Sequence, residues 1–145
     1  ITSLALEADV MEATNHRLQD KYRKIEKHEV RFEAHNVEDA EYVFVAFGSA
    51  ARLCGNAMEA LRAEGIKVGL LRPITLWPFP TKEIERLAQK VKGFMSIELS
   101  AGQMVEDVRL AVNGKVPVEF HGRMGGNIPS AEEIMEKFKE KFKLN

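Results

Sequence analysis

The sequence contains a single cysteine, Cys54, among 145 residues. One thiol cannot form an intrachain disulfide, and it cannot supply the four cysteine ligands of a structural zinc site or an iron–sulfur cluster. The four histidines show no metal-ligand spacing, so we predict no metal site. Cys54 falls within a predicted helix, where burial as a small apolar residue is favoured over reactivity. A reducing, cytoplasmic location is expected.

Long apolar runs and an excess of one charge are also missing. No run approaches the roughly 18 residues of a membrane span, and no secretory signal opens the chain. The 21 basic and 22 acidic residues give a net charge of −1. We therefore expect neither nucleic acid nor a membrane as partner. The chain starts at Ile1 without an initiator methionine, as expected of a piece of a longer polypeptide.

Recognisable catalytic and phosphate-binding motifs are absent. Neither G-x-G-x-x-G nor G-x-x-x-x-G-K follows Gly48, and Ser49 lacks the G-x-S-x-G frame of a nucleophile elbow. Glu98 lies inside an apolar strand, which is costly for an unpaired charge. A structural ion pair is favoured for Glu98 over a catalytic carboxylate. We predict no catalytic, cofactor-binding or metal-binding residue in this chain.

A regular apolar seam marks the start of the chain. Residues 3–27 have the pattern of one amphipathic helix, since apolar residues recur every seven positions without Gly or Pro. The favoured interpretation is a helix packed along its own domain, and the alternative is a contact helix for another domain or subunit. Residues 28–36 are ambiguous and fit an extended connector. The seam consists of Leu4, Met11, Leu18 and Ile25, with Ala8, Asn15 and Tyr22 between them.

From Glu41 onward, short apolar strands alternate with amphipathic helices. The pattern predicts strands at 42–47, 67–72, 94–99 and 116–121, and helices at 50–63, 81–90, after Gln103 and after Ser130. Four successive βα units indicate a three-layer α/β fold with a mostly parallel, helix-flanked sheet. We divide the chain into an amino-terminal helix and connector, 1–37, and an α/β domain, 38–145. The predicted helix caps are Ser49, Thr81, the pair Ser100 and Gln103, and the pair Ser130 and Glu133.

Two loops at predicted strand ends stand out. Pro73, Pro78 and Pro80 surround Trp77, the only tryptophan, and predict a stiff, ordered loop. The carboxyl ends of strands are where open α/β sheets gather their functional surfaces. Arg72 precedes this loop, and its side chain could either bridge two subunits or pair with a nearby carboxylate of the same chain. The second loop holds Arg123 among Gly122, Gly125 and Gly126; a solvated arginine in a tight turn and an arginine gripping a carboxylate or phosphate are equally favoured.

Four segments of the sequence resemble one family, in the same order. They read V-F-V-A-F-G-S-A-A-R, G-I-K-V-G-L-L-R-P-I-T-L-W-P-F-P, E-L-S-A-G-Q-M-V-E-D-V-R-L-A and G-R-M-G-G-N-I-P. The chain resembles, over residues 38–142, the carboxyl-terminal part of the alpha chain of 2-oxoacid:ferredoxin oxidoreductases acting on pyruvate, 2-oxoglutarate or branched-chain 2-oxoacids. The resemblance implies a fold like the carboxyl-terminal domain of transketolase. It also implies oxidative decarboxylation of a 2-oxoacid, with coenzyme A and ferredoxin as partners of the whole enzyme.

Such enzymes use thiamine diphosphate, Mg²⁺ and iron–sulfur clusters, yet this sequence has one cysteine and no G-D-G…N pattern. The resemblance therefore implies a domain that binds no cofactor itself and organises other domains and subunits. The alternatives are a stand-alone small-ligand-binding or regulatory module and, less favoured, a self-sufficient enzyme using Glu98 or Arg123. The candidate interface residues lie on the predicted strand-end loops: Arg72, Pro73, Trp77, Pro78, Gln103, Met104, Arg123, Gly125 and Gly126.

Overall fold

The computed structural model describes residues 6–144 as five helices and five strands. One sheet has the strand order β1-β3-β2-β4-β5. Strands β2 to β5 run parallel, and β1 pairs antiparallel with β3 at one edge. The predicted mostly parallel α/β sheet is confirmed. In chain order the elements are α1 (Ala8–His28), β1 (Phe32–His35), β2 (Tyr42–Val45), α2 (Gly48–Ala63), β3 (Val68–Pro73), α3 (Thr81–Leu87), β4 (Gly93–Glu98), α4 (Met104–Val112), β5 (Val118–Gly122) and α5 (Ala131–Phe142).

The central strand β2 shows how the three layers arise. Successive side chains of a strand point to opposite faces. Tyr42 and Phe44 accordingly pack in the core beneath α2 and α5, whereas Val43 and Val45 pack in the core beneath α3 and α4. Helices therefore cover both faces of the sheet, as predicted. Cys54 is buried in the first of these cores, and burial raises the pKa of its thiol.

Strand β1 belongs to a segment that the sequence left ambiguous. Its backbone is extended, but all four of its residues are exposed, so no apolar alternation marks it as a strand. Phe32 lies opposite Pro73 in the register with β3. From the sequence we placed the start of the α/β domain at residue 38. Strand β1 precedes that residue, so the sheet extends into the segment that we had assigned to the connector.

Several predicted helix boundaries and caps are wrong. Phe47 and Pro80, not Ser49 and Thr81, occupy the N-cap positions of α2 and α3, and neither helix has a side-chain cap. Helix α3 ends at Leu87, earlier than expected. One half of the capping box predicted at α5 is confirmed, because the Ser130 hydroxyl accepts a hydrogen bond of 3.1 Å from the backbone N–H of Glu133. The Glu133 carboxylate pairs with His121 and Arg123 and does not complete the box. The predicted start of the first helix at residues 3–5, including Leu4, lies outside the described residues.

Candidate functional site at the carboxyl edge of the sheet

The carboxyl ends of the four parallel strands lie along one edge of the sheet, and β1 begins at the same edge because Phe32 pairs with Pro73. Among residues 6–144, twelve large hydrophobic side chains are exposed, and eight of them lie on this edge. We call these eight residues the apolar edge. They are Phe32, Phe47, Ile74, Leu76, Trp77, Leu99, Met124 and Ile128.

The proline loop, residues 73–80, is held firmly against the domain. The backbone N–H groups of Ile74 and Thr75 donate to the carbonyl of Arg31 at 2.9 and 3.1 Å. The Thr75 hydroxyl donates to the carbonyl of Pro78 at 2.8 Å. Trp77 nevertheless leaves 55% of its surface exposed. An ordered loop that exposes a large aromatic ring is pre-organised for contact with another surface.

Trp77 also links the proline loop to the first helix. Its ring meets the ring of Tyr22 edge-on, with 5.7 Å between the centroids. No residue of α1 is buried. Helix α1 thus contacts its own domain through Tyr22 without burying any residue completely, and the apolar edge continues through Tyr22 onto α1.

A buried carboxylate, Glu98, shapes the next loop of the edge. Glu98 is 2% exposed at the end of β4, and its side chain reaches the start of α4. Five hydrogen bonds use the two carboxylate oxygens. Oε1 accepts from Ser96 Oγ at 3.1 Å and Val105 N at 2.9 Å, and Oε2 accepts from Ser100 Oγ, Gln103 N and Met104 N at 3.0 Å each.

These contacts keep Glu98 ionised. Burial by itself would raise the pKa of the carboxyl, but the backbone N–H groups of Gln103, Val105 and Met104 outweigh that effect and hold the pKa below its usual value. The carboxylate also lies at the positive end of the α4 dipole. An ionised, buried group with five donors around it is a helix cap and has no accessible position for proton transfer.

Two predictions at this turn are wrong. Glu98 has no basic ion-pair partner among residues 6–144, because its donors are hydroxyls and backbone N–H groups. The capping box of Ser100 and Gln103 does not form, because the Glu98 carboxylate reaches the helix N-terminus instead. The Ser100 hydroxyl donates to Glu98 and accepts from the N–H of Gly102.

The two candidate arginines of the edge pair within the domain. Arg123 donates from Nη2 to Oε2 of Glu133 at 2.9 Å, its Nε lies 2.9 Å from Oε1 of the same carboxylate, and the guanidinium lowers the pKa of that carboxyl. His121 Nε2 lies 2.9 Å from the same carboxylate. Arg72 Nη1 donates at 2.9 Å to Glu33 on the neighbouring strand. Of the two alternatives left open for Arg123, the structure shows an arginine bound to a carboxylate, and that carboxylate belongs to this chain. Arg72 likewise pairs with a local carboxylate.

Gly122, the last residue of β5, has a packing role that the sequence did not reveal. A Cβ atom at this position would overlap the carbonyl oxygen of Ser100 and would lie 2.5 Å from the ring of Phe120. The absence of a side chain thus lets β5 pass directly beneath the turn that Glu98 organises.

The candidate interface residues divide into two groups. Six of the nine candidates are exposed or partly exposed, and three are buried. The side chains of Pro73, Pro78 and Met104 are buried within the domain, and a part for these three residues in an interface stays a prediction. The exposed and partly exposed candidates are Arg72, Trp77, Gln103, Arg123, Gly125 and Gly126.

The residues that the structure describes do not form a binding site for Mg²⁺ or an iron–sulfur cluster, the metal cofactors of the enzymes that this sequence resembles. Within residues 6–144, no three His, Cys, Asp or Glu side chains come together as metal ligands, and the single thiol is buried. No helix in that part of the chain is long and apolar enough to cross a membrane.

Comparisons with known proteins agree with the sequence motifs. The family described as pyruvate:ferredoxin oxidoreductase core domain II matches residues 40–134. The chain is 49% identical over 140 residues to the ketoisovalerate oxidoreductase subunit VorB of Methanothermobacter thermautotrophicus, covering 97% of this chain and 40% of that subunit. It is 33% identical over 118 residues to the 2-oxoglutarate synthase subunit KorA of Methanocaldococcus jannaschii, covering 81% of this chain and 31% of that subunit. The chain thus spans well under half the length of these relatives.

Solved structures show the same fold. A 2-oxoglutarate:ferredoxin oxidoreductase from Magnetococcus marinus superimposes with a TM-score of 0.80 at 24% identity, covering 94% of this chain and 24% of that chain. A split-gene transketolase superimposes with a TM-score of 0.64 at 16% identity, covering 77% of this chain and 42% of that chain. The resemblance in fold to transketolase is therefore confirmed. Since the family match covers most of the sequence, the chain belongs to the pyruvate:ferredoxin oxidoreductase core domain II family.

Proposed function

We propose that this chain is the core domain II of an alpha-type subunit in a cytoplasmic 2-oxoacid:ferredoxin oxidoreductase. The whole enzyme would convert a 2-oxoacid and coenzyme A into an acyl-CoA and carbon dioxide, and the released electrons would reduce ferredoxin. The match to core domain II and the 49% identity to a ketoisovalerate oxidoreductase subunit support this assignment. The higher identity to that subunit than to the 2-oxoglutarate synthase subunits favours a branched-chain 2-oxoacid as substrate.

The role of this domain within the enzyme is to position other domains or subunits. The observation that carries this proposal is the apolar edge, where eight large side chains are exposed along one side of the sheet. Contiguous exposed apolar surface in a folded protein typically marks an interaction site. Thiamine diphosphate, Mg²⁺ and the iron–sulfur clusters would be held by the remaining parts of the enzyme, since the described residues supply no ligands for the metals.

The assignment is tested by purifying, from its source cells, the polypeptide that carries this sequence. We expect it to co-purify with ferredoxin reduction that requires coenzyme A and a 2-oxoacid, and to act faster on 2-ketoisovalerate than on pyruvate or 2-oxoglutarate. Preparations without any 2-oxoacid-dependent reduction of ferredoxin would refute the proposed enzyme. A preference for 2-oxoglutarate would refute only the substrate.

The role of the edge is tested by Trp77→Ala in the same polypeptide. We expect the variant to lose associated subunits on size-exclusion chromatography while the melting temperature of the domain changes little. Leu110→Ala is a matched control, because Leu110 is exposed on α4 away from the edge. If the Trp77 and Leu110 variants retain the same subunits, the edge is not an assembly surface.

A further inference from the structure

The loop after β5, residues 123–130, has few attachments to the rest of the domain. We call it the glycine loop, and all of its residues except Pro129 are exposed. In the part of the chain that the structure describes, no hydrogen bond between backbone groups joins residues 124–129 to another element. The loop nevertheless carries two members of the apolar edge, Met124 and Ile128, which are 57% and 61% exposed. The positions of these two side chains therefore depend on how the ends of the loop are held.

The centre of the glycine loop is a tight turn. The backbone N–H of Asn127 donates to the carbonyl of Met124 at 3.2 Å, and its side-chain amide donates to the same carbonyl at 3.3 Å. Gly125 and Gly126 have φ values of +65° and +85°, a region that residues with a side chain rarely adopt. The loop thus has a defined internal shape, and its orientation on the domain is set by contacts at its two ends.

One carboxylate, that of Glu133, connects the two ends of the glycine loop. His121 Nε2 in β5 lies 2.9 Å from its Oε1, and Arg123 Nη2 donates to its Oε2 at 2.9 Å. The guanidinium and the imidazole hold the pKa of this carboxyl below its usual value, and an ionised carboxylate only accepts hydrogen bonds, so His121 Nε2 carries a proton. Glu133 lies in the first turn of α5, directly after the Ser130 cap. Residues from both sides of the loop therefore meet at one side chain.

The elements that carry this contact are fixed by the core. Ile134 and Phe138 of α5 are fully buried, and β5 pairs with β4 along its whole length. The other arginine pair of the edge differs, because Arg72 and Glu33 lie on adjacent strands whose positions the sheet already fixes. Only the Glu133 contact ties down a loop that the described backbone hydrogen bonds leave unattached.

We propose that Glu133 is a positioning residue of the apolar edge, whose carboxylate holds the glycine loop so that Met124 and Ile128 face an apolar surface of a partner subunit. The inference rests on the proposed assembly role of the edge and adds to it a residue outside the eight exposed ones. A loop that is already held in its binding conformation loses less conformational entropy when a partner binds. Without the carboxylate, the loop would have to be ordered by the partner itself.

The first test measures dissociation of the native complex on dilution, with Glu133→Gln in the polypeptide that carries this sequence. The substitution keeps the size of the side chain and removes its charge. We expect the partner subunits to bind about tenfold more weakly, because the loop must then be ordered on binding, while the melting temperature of the domain changes little. Glu106→Gln is the matched control. Glu106 also lies in the first turn of a helix and pairs with an arginine, Arg109, at 3.2 Å, but it closes no loop, so this variant should bind like the unchanged protein.

Substitutions of Arg123 test the same contact from its other side. Arg123→Ala should weaken binding as much as Glu133→Gln does, and the two substitutions together should weaken it no further, because they remove one shared contact. Arg123→Lys keeps a charged donor for the carboxylate and should restore part of the binding that Arg123→Ala loses. Losses that add in the double variant, or equal binding by the Lys and Ala variants, would overturn the proposal.

A further measurement reports on the loop itself, by tryptic cleavage of the same polypeptide after Arg123. Trypsin must take up the arginine side chain, which the unchanged protein holds against Glu133. Because proteolysis follows local opening, we expect cleavage at this site to be about fivefold faster in Glu133→Gln. The Glu106→Gln variant should be cleaved at the rate of the unchanged protein. An unchanged rate of cleavage in Glu133→Gln would overturn the proposal.

The Trp77→Ala experiment keeps this inference separate from the proposed function. If Trp77→Ala releases the partner subunits and Glu133→Gln binds them as tightly as Glu106→Gln, the edge is an assembly surface that does not depend on Glu133, and the inference is overturned alone. If neither Trp77→Ala nor Glu133→Gln weakens binding, the assembly role of the edge is overturned with it.

Discussion

Two loops at the same edge of the sheet, on either side of the central strand β2, differ in what they leave exposed. In the turn after β4, a buried carboxylate, Glu98, satisfies the backbone N–H groups that open α4. In the proline loop after β3, polar backbone groups are also satisfied, but the large side chain of Trp77 is left exposed. The comparison shows that an ordered loop need not be a buried one. Both loops are held by hydrogen bonds, but only the turn after β4 buries its key side chain within the domain. The first loop should therefore determine stability, and the second should determine association.

The largest expected effect is that of Glu98→Ala on stability. The substitution leaves three backbone N–H groups and two hydroxyls without their acceptor and creates a cavity at a buried position. We expect the free energy of unfolding to fall by about 3 kcal/mol or more, measured by urea denaturation. Ser130→Ala removes a solvent-exposed cap from α5 and should cost only about 1 kcal/mol. Equal losses for the two variants would mean that Glu98 is an ordinary surface cap.

Gly122→Ala should give the next largest loss. The added methyl group would overlap the carbonyl of Ser100, so the turn after β4 must move away from β5. Overpacking of this kind costs about 1–3 kcal/mol. Gly55→Ala is the control, because a Cβ at Gly55 in α2 meets no atom within 4 Å, and it should stabilise the helix slightly. A Gly122 variant as stable as the Gly55 variant would contradict the close approach of the two strand ends.

The contribution of Glu98 should depend on pH in a defined direction. Its pKa in the folded protein lies below its usual value of 4.5, so its stabilisation is complete above that pH and is lost as pH falls through the lower, folded-state pKa. The unchanged protein should therefore exceed Glu98→Gln in stability at neutral pH, and the difference should shrink below pH 4.5. Thermal denaturation of both proteins at several pH values from neutral to below 4.5 measures this difference in stability. A difference that is constant with pH would show that the carboxyl is not ionised in the folded state.

Trp77→Ala should have the smallest effect on the stability of this chain. The substitution removes an edge-on aromatic contact with Tyr22, worth about 0.5–1.5 kcal/mol, and exposes no core. Leu87→Ala, at a fully buried position of α3, should cost about 2–5 kcal/mol. If the two variants melt at the same temperature, Trp77 is a core residue and the contrast between the two loops fails.

The sequence predicted the layered fold because the strand at 42–47 and its neighbours are short, continuous apolar runs separated by helices of clear periodicity. Strand β1 was not predicted, because its four residues are exposed and show no apolar pattern. It is a strand because it pairs with β3. The Ser130 cap was predictable because its partner lies three residues away. The Glu98 cap was not, because a local spacing rule does not show that a strand-end side chain folds back onto the following helix.

The candidate site was predicted in part for similar reasons. Prolines around Trp77 indicated a rigid loop, and its exposure agrees with a surface role. The burial of Met104 was not predictable, because a turn motif does not show which side chains point into the core. The apolar edge itself was missed, although a signal existed: a large apolar residue follows each of the parallel strands closely, as with Phe47, Leu99 and Met124.

The most direct test of the edge is hydroxyl-radical footprinting of the native complex that contains this polypeptide. Trp77 and Met124 react readily and are both exposed in this chain, whereas Met95 is buried and provides an internal control. We predict that Trp77 and Met124 are oxidised in the isolated chain and protected in the complex, with Met95 protected in both. Equal oxidation of Trp77 and Met124 in the isolated chain and in the complex would contradict the account, because the edge would then remain open in the assembled protein.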